Sequence, residues 1–568
     1  MAKVVKLSLH NFRKFGDYTC DFGKTDLVCL IGRGDSGKST ILDALSYVLS
    51  PSWTLSFSDY DFHNFNTAEP LRIRAVVVGF PDALVRDDKY GLDVCGYNST
   101  SGALGEPGAE GLDDALVIEL TVDESLEPKW EVVNVAAGTR KSMSGKDRAL
   151  LHAYMVSDYA QRHFAWANGS PLNAMTRAEG GELNQSALVE IGRGVRKISD
   201  EVDYGDFGRL FDDIRDTAAE LGLDTGTIHP AFDMRQLPVR DGAICLHNES
   251  KLPVRLSGKG SRRLLSVAIQ IAASGDSAIT MLDEVEQGLE PDRVRSFVHQ
   301  LKRPTAGQMF LTTHSANVLV EMDAASVFLV CGGEAPHRLD ETVQKCIRAT
   351  PEALFGKRVL LCEGETEYGF CRALDAFNIA KGRRSFAQSG TVAVVGGGSE
   401  FSRYADFYLD LGMELLLFCD ADDRAENAEK ERLRERGATI ATWNDGESIE
   451  QAIFGEAPAG LVHELLKYAV ESRFEDEEMA RTAIKDSVQS KCPTSDVSDL
   501  FGAEEYGPDV RSAIGLSAKG SSNRKGWYKT VTAGEDVGRI VCRNYTKLLE
   551  SGQLLKVISE ISEWAIHD

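Results

Sequence analysis

Gly32-Arg33-Gly34-Asp35-Ser36-Gly37-Lys38-Ser39-Thr40 is the stretch of this 568-residue chain that decides the fold around it. It fits the pattern G-x-x-x-x-G-K-[ST], follows the apolar run 27–31 and precedes a helical pattern at 41–49. A glycine-rich loop between a strand and a helix turns its backbone N–H groups toward a phosphate, at the helix end where peptide dipoles favour negative charge. The sequence therefore predicts a P-loop that binds a nucleotide.

Within this loop, we expect Lys38 to pair with the β- and γ-phosphates of ATP and Ser39 to give its hydroxyl to Mg²⁺. The backbone and small side chains around them complete the predicted site. The nucleotide-binding residues predicted from the motif are Gly32, Gly34, Ser36, Gly37, Lys38, Ser39 and Thr40.

Composition indicates a globular protein of several domains. Hydrophobic residues make up 43% and charged residues 26% of the chain, and no apolar run approaches the roughly 18 residues of a membrane span. The eleven cysteines include no C-x-x-C pair, which is typical of reduced thiols in a cytosolic protein. The net charge of −24 argues against a generally basic nucleic-acid coat but permits a local basic channel. We therefore expect a cytoplasmic protein without a membrane segment.

Further stretches along the chain are suited to nucleotide chemistry. The sequence LSGKG at 256–260 opens a helical pattern, an apolar strand ends in Asp283 and Glu284, and a second apolar strand ends before His314. Asp283 is expected to hold the Mg²⁺ shell and Glu284 to orient or deprotonate the attacking water.

In order and spacing, these elements and the turn Gly288-Leu289-Glu290-Pro291 resemble the signature loop, the acidic strand, the histidine switch and the D-loop of ABC ATPases. The resemblance implies that Ser257 and Gly258 face a γ-phosphate and that His314 is the switch residue. Residues 59–61 are the candidate for the Q-loop. The head looks like the SMC/RecF branch, where one head's signature loop completes the ATP site of another. The resemblance therefore implies a homodimer or a higher homo-oligomer.

A second group of acidic residues follows the strands of a C-terminal α/β pattern. Sheets of this class place ligands at the carboxyl ends of their strands. Several acids at those ends would repel one another unless a divalent cation neutralised them, and an all-oxygen ligand set suits Mg²⁺ or Mn²⁺. The acidic residues in question are Glu363, Glu367, Asp420, Asp422, Asp423, Asp445, Glu447 and Glu450.

Glu363-Gly364, with Asp420-x-Asp422 following 57 residues later, resembles a Toprim domain. The additional Glu367 matches the E-G-x-T-E variant of the OLD (overcoming lysogenisation defect) family. That family fuses an SMC/RecF-like ATPase head to a C-terminal Toprim nuclease. The resemblance implies two-metal hydrolysis of phosphodiesters in DNA, with one metal stabilising the attacking oxygen and one the leaving oxygen.

By the same resemblance, Glu363, Asp420 and Asp422 form one metal shell. Glu367 and an acid after the last strand are expected to contribute to the second metal site. For that acid we prefer Glu450 to Glu447. A cation near the scissile phosphate is expected from the basic stretch 519–529, where Lys525 matches the family best and Lys529 second. The residues with expected catalytic roles are Glu284, His314, Glu363, Asp420, Asp422 and Lys525. The expected metal ligands are Glu363, Glu367, Asp420, Asp422 and Glu450, with Ser39 and Asp283 in the ATPase.

The fold class predicted is α/β: an ABC-type P-loop ATPase head with a helical insertion, followed by a small α/β Toprim domain and a helical C-terminal segment. We predict that the head occupies residues 1–145 and 241–350, that a helical insertion with a role in dimerisation occupies 146–240, and that the Toprim domain with its helical elaboration occupies 355–568.

The leading interpretation is an ATP-regulated DNA endonuclease that needs Mg²⁺ or Mn²⁺ and acts in phage defence or DNA maintenance. DNA, ATP, a second copy of the chain and an accessory protein encoded nearby are the expected partners. One alternative is an ATP-driven DNA clamp or repair scaffold whose Toprim unit does not cleave. A Toprim topoisomerase or primase ranks last, because the sequence offers no obvious breakage-reunion module.

Overall fold

The computed structural model describes most of the chain, and the statements below refer to the described residues. They are residues 1–567 without 53, 87, 157–163, 167–169, 179–189, 192, 196, 199–200, 202–207, 221–244, 275–277, 303–306, 334, 422–423, 474–475 and 522–523.

The strands lie in two large sheets, a four-stranded sheet and a short hairpin. In chain order they are β1 (Lys3–Phe12), β2 (Phe15–Asp21), β3 (Leu27–Ile31), β4 (Leu71–Val78), β5 (Cys95–Tyr97), β6 (Leu104–Gly105), β7 (Asp113–Val122), β8 (Pro128–Asn134), β9 (Thr139–Ser142), β10 (Ala153–Val156), β11 (Ile279–Leu282), β12 (Gln308–Thr312), β13 (Val327–Leu329), β14 (His337–Arg338), β15 (Arg358–Cys362), β16 (Thr391–Val395), β17 (Glu414–Cys419), β18 (Thr439–Thr442), β19 (Gly520–Ser521) and β20 (Arg524–Lys525).

The helices used below are numbered separately from the strands. They are α1 (Lys38–Leu49), α2 (Gly145–Ala149), α3 (Pro171–Ala178), α4 (Gly208–Glu220), α5 (Lys259–Ser274), α6 (Pro291–Leu301), α7 (Ala316–Glu321), α8 (Gln344–Ala349), α9 (Glu365–Ala380), α10 (Phe401–Asp410), α11 (Arg424–Glu435), α12 (Ile449–Glu456), α13 (Ala459–Arg473), α14 (Glu477–Lys491), α15 (Pro508–Lys519), α16 (Val531–Arg543) and α17 (Gln553–Ile566).

The chain divides into two compact units. The first contains residues 1–28 and 39–311, and the second contains residues 29–38 and 312–568. The P-loop segment before Ser39 therefore belongs to the second unit, while Ser39 and most of α1 belong to the first.

The first unit contains an antiparallel sheet with the order β2-β1-β4-β7-β5-β6, and β8 and β9 continue from β7. Buried and less buried positions alternate through much of β1 and β2, because one face of such a sheet packs on the core. Glu119, on the central strand β7, is a charged residue that is nevertheless buried. Its side chain is 1% exposed and pairs with Arg74 at 2.6 Å and with Arg140 at 2.7 Å. Two guanidinium groups thus compensate a buried carboxylate.

Parallel strands position the candidate sites in both units. In the first unit β10, β11 and β12 pair in that order, and in the second unit β3 pairs with β13. The four-stranded sheet of the second unit has the order β16-β15-β17-β18 and is parallel throughout. Every residue of β15 is buried, as expected for a parallel strand covered on both faces. The carboxyl ends of β15, β17 and β18 consequently meet at one edge.

The helices that follow the four-stranded sheet share a hydrophobic core with it. This core includes Trp527 and Tyr528, so the two aromatic residues of the basic stretch 519–529 pack inside the protein. Tyr528 also donates its hydroxyl hydrogen to the carbonyl of Leu465 at 3.0 Å. The C-terminal segment is helical, as the sequence predicts.

One prediction about local structure within 146–240 is wrong. Residues 153–156, in the range predicted as a helical insertion, form strand β10 and pair with β11. Tyr154 and Val156 in this segment favour strands, and pairing with β11 outweighs the helical pattern around them. Helices α3 and α4 also lie in this range, and much of the rest lies outside the described residues. Among the described helices, none has the length and apolar character to cross a bilayer.

Candidate functional site

The P-loop holds its lysine by backbone carbonyl groups. Lys38 is 4% exposed, and its Nζ donates to the carbonyl oxygen of Arg33 at 2.7 Å and to that of Gly32 at 2.9 Å. It also lies 3.3 Å from the hydroxyl of Ser36. The loop therefore keeps a cation at the N-terminal end of α1, in a setting suited to phosphate groups.

Two predicted residues of the ATPase site meet in the first unit. Ser39 donates its hydroxyl hydrogen to Asp283 Oδ1 at 3.1 Å, so the two expected Mg²⁺ ligands are adjacent. Glu284, the next residue, has a φ of +47°, a left-handed conformation that costs a residue with a side chain on the order of 1 kcal/mol. Such strain clusters at functional positions, which agrees with the role expected for Glu284.

Sequence reasoning missed an arginine that organises the region around α1. Arg13 donates to Asp43 at 2.5 Å, to Asp61 at 3.0 Å and to the hydroxyl of Tyr47 at 3.0 Å. Burial raises the pKa of Asp43 and Arg13 lowers it, with a net increase to which the nearby charge of Asp283 contributes. The network fixes Asp61, in the Q-loop candidate 59–61, to the helix that follows the P-loop.

The remaining predicted ATPase residues lie at element ends. Ser257 and Gly258 immediately precede α5, and their backbone hydrogen bonds stay within residues 254–262. His314 follows β12 with its side chain exposed, and its ring centroid lies 6.5 Å from that of Phe355. The roles of these three residues in ATP chemistry stay predictions.

Glu363 and Asp420 come together at the carboxyl edge of the four-stranded sheet. The backbone N–H of Asp420 donates to Glu363 Oε2 at 3.0 Å. Asp420 Oδ1 in turn accepts from the N–H of Ile449 at 2.8 Å, which ties the end of β17 to the first residue of α12. Parallel register places these ends side by side, as the strand-end argument predicts.

Glu450 lies in the same cluster and carries a cation. It is 1% exposed, its Oε1 lies 2.8 Å from Lys529 Nζ, and its Oε2 accepts from the hydroxyl of Ser448 at 2.9 Å. Burial opposes the charged form of Lys529, but Glu450 outweighs burial and the pKa of Lys529 is raised. Glu447 accepts instead from the side chain of Gln553. The structure thus places Glu450, rather than Glu447, beside the lysine.

Glu367 and Asp420 experience the charge of the whole cluster. Burial raises the pKa of Glu367 to about 7, with a further contribution from Glu450. Burial also raises the pKa of Asp420, and the charges of Glu367, Glu450 and Glu363 add to the shift. Carboxylates that raise one another's pKa in this way repel one another, and a divalent cation would relieve that repulsion.

The described side chains do not form a finished metal shell. No group of three or more His, Cys, Asp or Glu residues in the described part of the chain stands in a geometry that could hold a metal ion. Asp422 and the side chain of Lys525 lie outside the described residues. The backbone of Lys525 is in strand β20, paired with Gly520. Both roles stay predictions.

A close helix contact sets the position of Lys529. The hydroxyl of Thr366 donates to the carbonyl oxygen of Tyr528 at 3.0 Å. A Cβ on Gly534 would lie 2.4 Å from the carbonyl oxygen of Thr366, so only glycine permits α16 to approach α9 this closely. The packing therefore brings Lys529 to Glu367 and its neighbours. No sequence spacing signals this contact, which joins segments more than 160 residues apart.

A second lysine near the cluster was also missed by sequence reasoning. Lys430, on α11, is 6% exposed and donates to the carbonyl oxygen of Asp420. In the sequence, the available signal was a lysine on the helix that follows an acidic strand end. Most such lysines lie on solvated helix faces, so the signal is weak.

Segments of the chain match models of known protein families. Residues 6–70 match an AAA domain, and residues 213–321 match the model described as "AAA domain, putative AbiEii toxin, Type IV TA system". Residues 354–422 match the TOPRIM domain of "Overcoming lysogenization defect protein-like" proteins. A comparison with curated proteins found no match.

Solved structures similar to the chain include heads of the SMC and RecF types. The SmcHead bound to the C-winged helix domain of ScpA is 17% identical, with 60% of this chain and 99% of that chain covered and a TM-score of 0.34. For the SMC head domain from Thermotoga maritima, the values are 14%, 60%, 99% and 0.27. For the recombination mediator protein RecF bound to ATP, they are 12%, 60%, 99% and 0.32.

The motifs, the sheets and the family models together define an α/β protein in which an AAA-type ATPase precedes a Toprim domain. This is the fold class that the sequence predicts. Within that class, residues 354–422 are similar to the TOPRIM domain of overcoming lysogenization defect (OLD) protein-like proteins, and the AAA matches precede them in the chain.

Proposed function

We propose that the protein is an ATP-regulated endonuclease that hydrolyses phosphodiesters of DNA with Mg²⁺ or Mn²⁺ at its Toprim domain. The observation that carries this proposal is the cluster of Glu363, Glu367, Asp420 and Glu450, in which Glu363 accepts from the backbone of Asp420 and Lys529 pairs with Glu450. Desolvation, followed by the charge of neighbouring carboxylates, raises the pKa values of Glu367 and Asp420. Divalent cations with oxygen ligands supply the compensation that such carboxylates need.

The residues divide into two sets of ligands. Glu363 and Asp420, with Asp422, would hold one cation, and Glu367 and Glu450 would hold the other. Bound cations supply Lewis acidity and lower the pKa of a coordinated water. Lys529 keeps its ammonium group 2.8 Å from Glu450, where it offsets negative charge that develops on the phosphate.

The head supplies ATP binding and hydrolysis. Lys38 would move from its loop carbonyls to the β- and γ-phosphates, while Ser39 and Asp283 would ligate Mg²⁺ and Glu284 would orient water. Hydrolysis by such a site would need Ser257 and Gly258 from a second head, which implies a homodimer or a higher homo-oligomer.

The family resemblance supports a role in phage defence or DNA maintenance, with an accessory protein encoded nearby as a further partner. A local basic surface, rather than the overall charge of −24, would have to contact the DNA backbone.

Plasmid cleavage tests the nuclease proposal. The purified full-length protein should nick supercoiled DNA in the presence of Mg²⁺ or Mn²⁺, with a rate that changes when ATP is added. Asp420→Asn should lower the rate by about 100-fold or more, because it removes a charge that the cations require. Asp509→Asn, an exposed acid at the start of α15, is the matched control and should cleave normally.

Two results would contradict the nuclease proposal. One is cleavage by Asp420→Asn at the wild-type rate. The other is DNA that is bound but never cut with either metal, which would favour the clamp alternative.

A further inference from the structure

The P-loop lysine controls the backbone of a neighbouring arginine. Lys38 Nζ donates to the carbonyl oxygen of Arg33 at 2.7 Å. In the proposed function, the same ammonium group pairs with the phosphates of ATP, which compete for its N–H donors. Nucleotide binding therefore changes what holds the backbone at Arg33.

The side chain of Arg33 lies against the Toprim sheet. A Cβ on Gly390 would lie 3.1 Å from Arg33 Nη2 and 3.0 Å from Lys357 Cβ. Gly390 has a φ of +74°, so both its conformation and its neighbours favour glycine. Its carbonyl oxygen accepts from the N–H of Lys357 at 2.7 Å and from that of Arg358 at 3.2 Å. Arg33 thus contacts the turn that ties the first residue of β15 to the residue before β16.

A second contact near the start of β15 is made by His314, which is also expected in the ATPase site. The ring of His314 lies 6.5 Å from that of Phe355, at an interplanar angle of 38°, within the range of aromatic pairs. Phe355 ends the short helical turn Pro351–Phe355, three residues before β15 begins. Arg33 and His314 therefore both contact residues at the entrance to this strand.

The far ends of β15 and β16 border the carboxylate cluster. The N–H of Gly396, just after β16, donates to the carbonyl oxygen of Cys362 at 2.6 Å, and the N–H of Gly398 donates to that of Glu363 at 3.4 Å. Both strands have only five residues, and they pair in register along their whole length. The two paired strands therefore link their entrance directly to the backbone of Glu363.

We propose that Arg33 and Phe355 are positioning residues that couple the nucleotide at the P-loop to the Toprim carboxylates through β15 and β16. ATP draws Lys38 away from the carbonyl of Arg33, Arg33 shifts against Gly390, and His314 shifts against Phe355. The paired strands then carry the change to Glu363. This inference rests on the proposed function, in that it places ATP at the P-loop and metal chemistry at Glu363.

Hydrogen exchange of the full-length protein tests the coupling without requiring cleavage. Backbone amides of residues 358–363 and 390–396 are followed with and without a saturating, non-hydrolysable ATP analogue and Mg²⁺. We expect the analogue to change their exchange rates in the wild type by about fivefold or more. In Arg33→Ala and in Phe355→Ala, the change should fall below about twofold.

Matched controls separate this effect from general damage. Arg383→Ala removes an exposed arginine from the loop after α9, and Phe501→Ala removes a half-buried ring that packs on Arg481. Both controls should keep the wild-type response. The ratio of plasmid cleavage with and without ATP should move toward one in Arg33→Ala and Phe355→Ala and stay unchanged in the controls.

The results distinguish the coupling from the nuclease proposal. An unchanged exchange rate in the wild type, or a full response in Phe355→Ala, would overturn the coupling even if plasmid is cleaved normally. A lost response in both variants without plasmid cleavage by any protein would support the coupling and overturn the nuclease. Phe355 lies outside the P-loop, so its variant tests the coupling even where Arg33→Ala weakens ATP binding.

Discussion

A buried carboxylate in the first unit and the cluster of Glu363, Glu367, Asp420 and Glu450 in the second unit (the Toprim cluster) differ in how their charge is compensated. Glu119, in the antiparallel sheet of the first unit, has guanidinium groups from Arg74 and Arg140 within 2.7 Å. Burial alone would raise its pKa, but the two arginines reverse the shift and lower it. In the Toprim cluster the pKa values of Glu367 and Asp420 are raised instead, and that of Glu367 reaches about 7.

The difference agrees with a structural role for Glu119 and with the cation-binding role proposed for the Toprim cluster. A structural carboxylate comes with its own cations, because an uncompensated buried charge destabilises the protein. In the Toprim cluster Lys529 pairs with Glu450, and the charges of Glu367 and Asp420 also act on it. A group left short of positive charge is typical of a site that receives cations from solution.

The largest expected effect comes from removing the lysine of the cluster. Lys529→Met should lower the rate of plasmid cleavage by about 100-fold, because a charge beside the reacting phosphate is lost. The same change leaves Glu450 unpaired, so Mn²⁺ should bind more tightly, as measured by calorimetry. If Lys529 only supported the fold, its removal would not raise the affinity for Mn²⁺.

Lys491→Met, an exposed change at the end of α14, is the control and should alter neither measurement. If Lys529→Met cleaved at the wild-type rate, Lys529 would have no role in the mechanism, and Lys525 would be the candidate for the cation near the scissile phosphate.

The next prediction compares Glu119→Gln with Glu367→Gln in the absence of metal. Glu119→Gln should destabilise the protein by roughly 1–3 kcal/mol at pH 7, since two arginines lose their partner. Glu367→Gln should stabilise it by a similar amount, because one of several mutually repelling charges is removed. Urea unfolding measures both. If Glu367→Gln also destabilised the protein, the cluster would be a compensated structural network.

The pH dependence of Glu119 follows from its lowered pKa. A carboxyl group with a pKa below its unfolded value contributes stability that is present above the unfolded pKa and is lost as pH falls. The difference between wild type and Glu119→Gln should therefore shrink below about pH 4.5. A constant difference down to pH 3 would show that the contribution of Glu119 does not depend on its charge.

Local signals account for what the sequence predicts well. The P-loop is a continuous motif whose flanks agree with it, and Glu363 and Asp420 follow apolar strands whose parallel pairing brings their ends together. Arg13, Lys430 and the preference for Lys529 could not be read in this way. Their positions depend on packing between segments distant in sequence, as in the contact of Thr366 with Tyr528. Strand β10 was missed because its pairing with β11 is equally long-range.

The smallest expected effect concerns the helix contact that positions Lys529. Gly534→Ala puts a methyl group where the carbonyl oxygen of Thr366 would be 2.4 Å away, so α16 and α9 must separate. Overpacking of this kind should cost roughly 1–3 kcal/mol in urea unfolding. Gly460→Ala is the matched control, because its Cβ would meet no atom within 4 Å, and helix propensity should then favour alanine slightly.

The decisive readout for Gly534→Ala is cleavage rather than stability. Separation of α16 from α9 moves Lys529 relative to Glu367, since the carbonyl of Tyr528 is tied to Thr366. Cleavage under fully folded conditions should therefore fall several-fold in Gly534→Ala and not in Gly460→Ala. If Gly534→Ala lost stability but cleaved at the wild-type rate, the glycine contact would serve the fold alone, and the Toprim cluster would tolerate a displaced lysine.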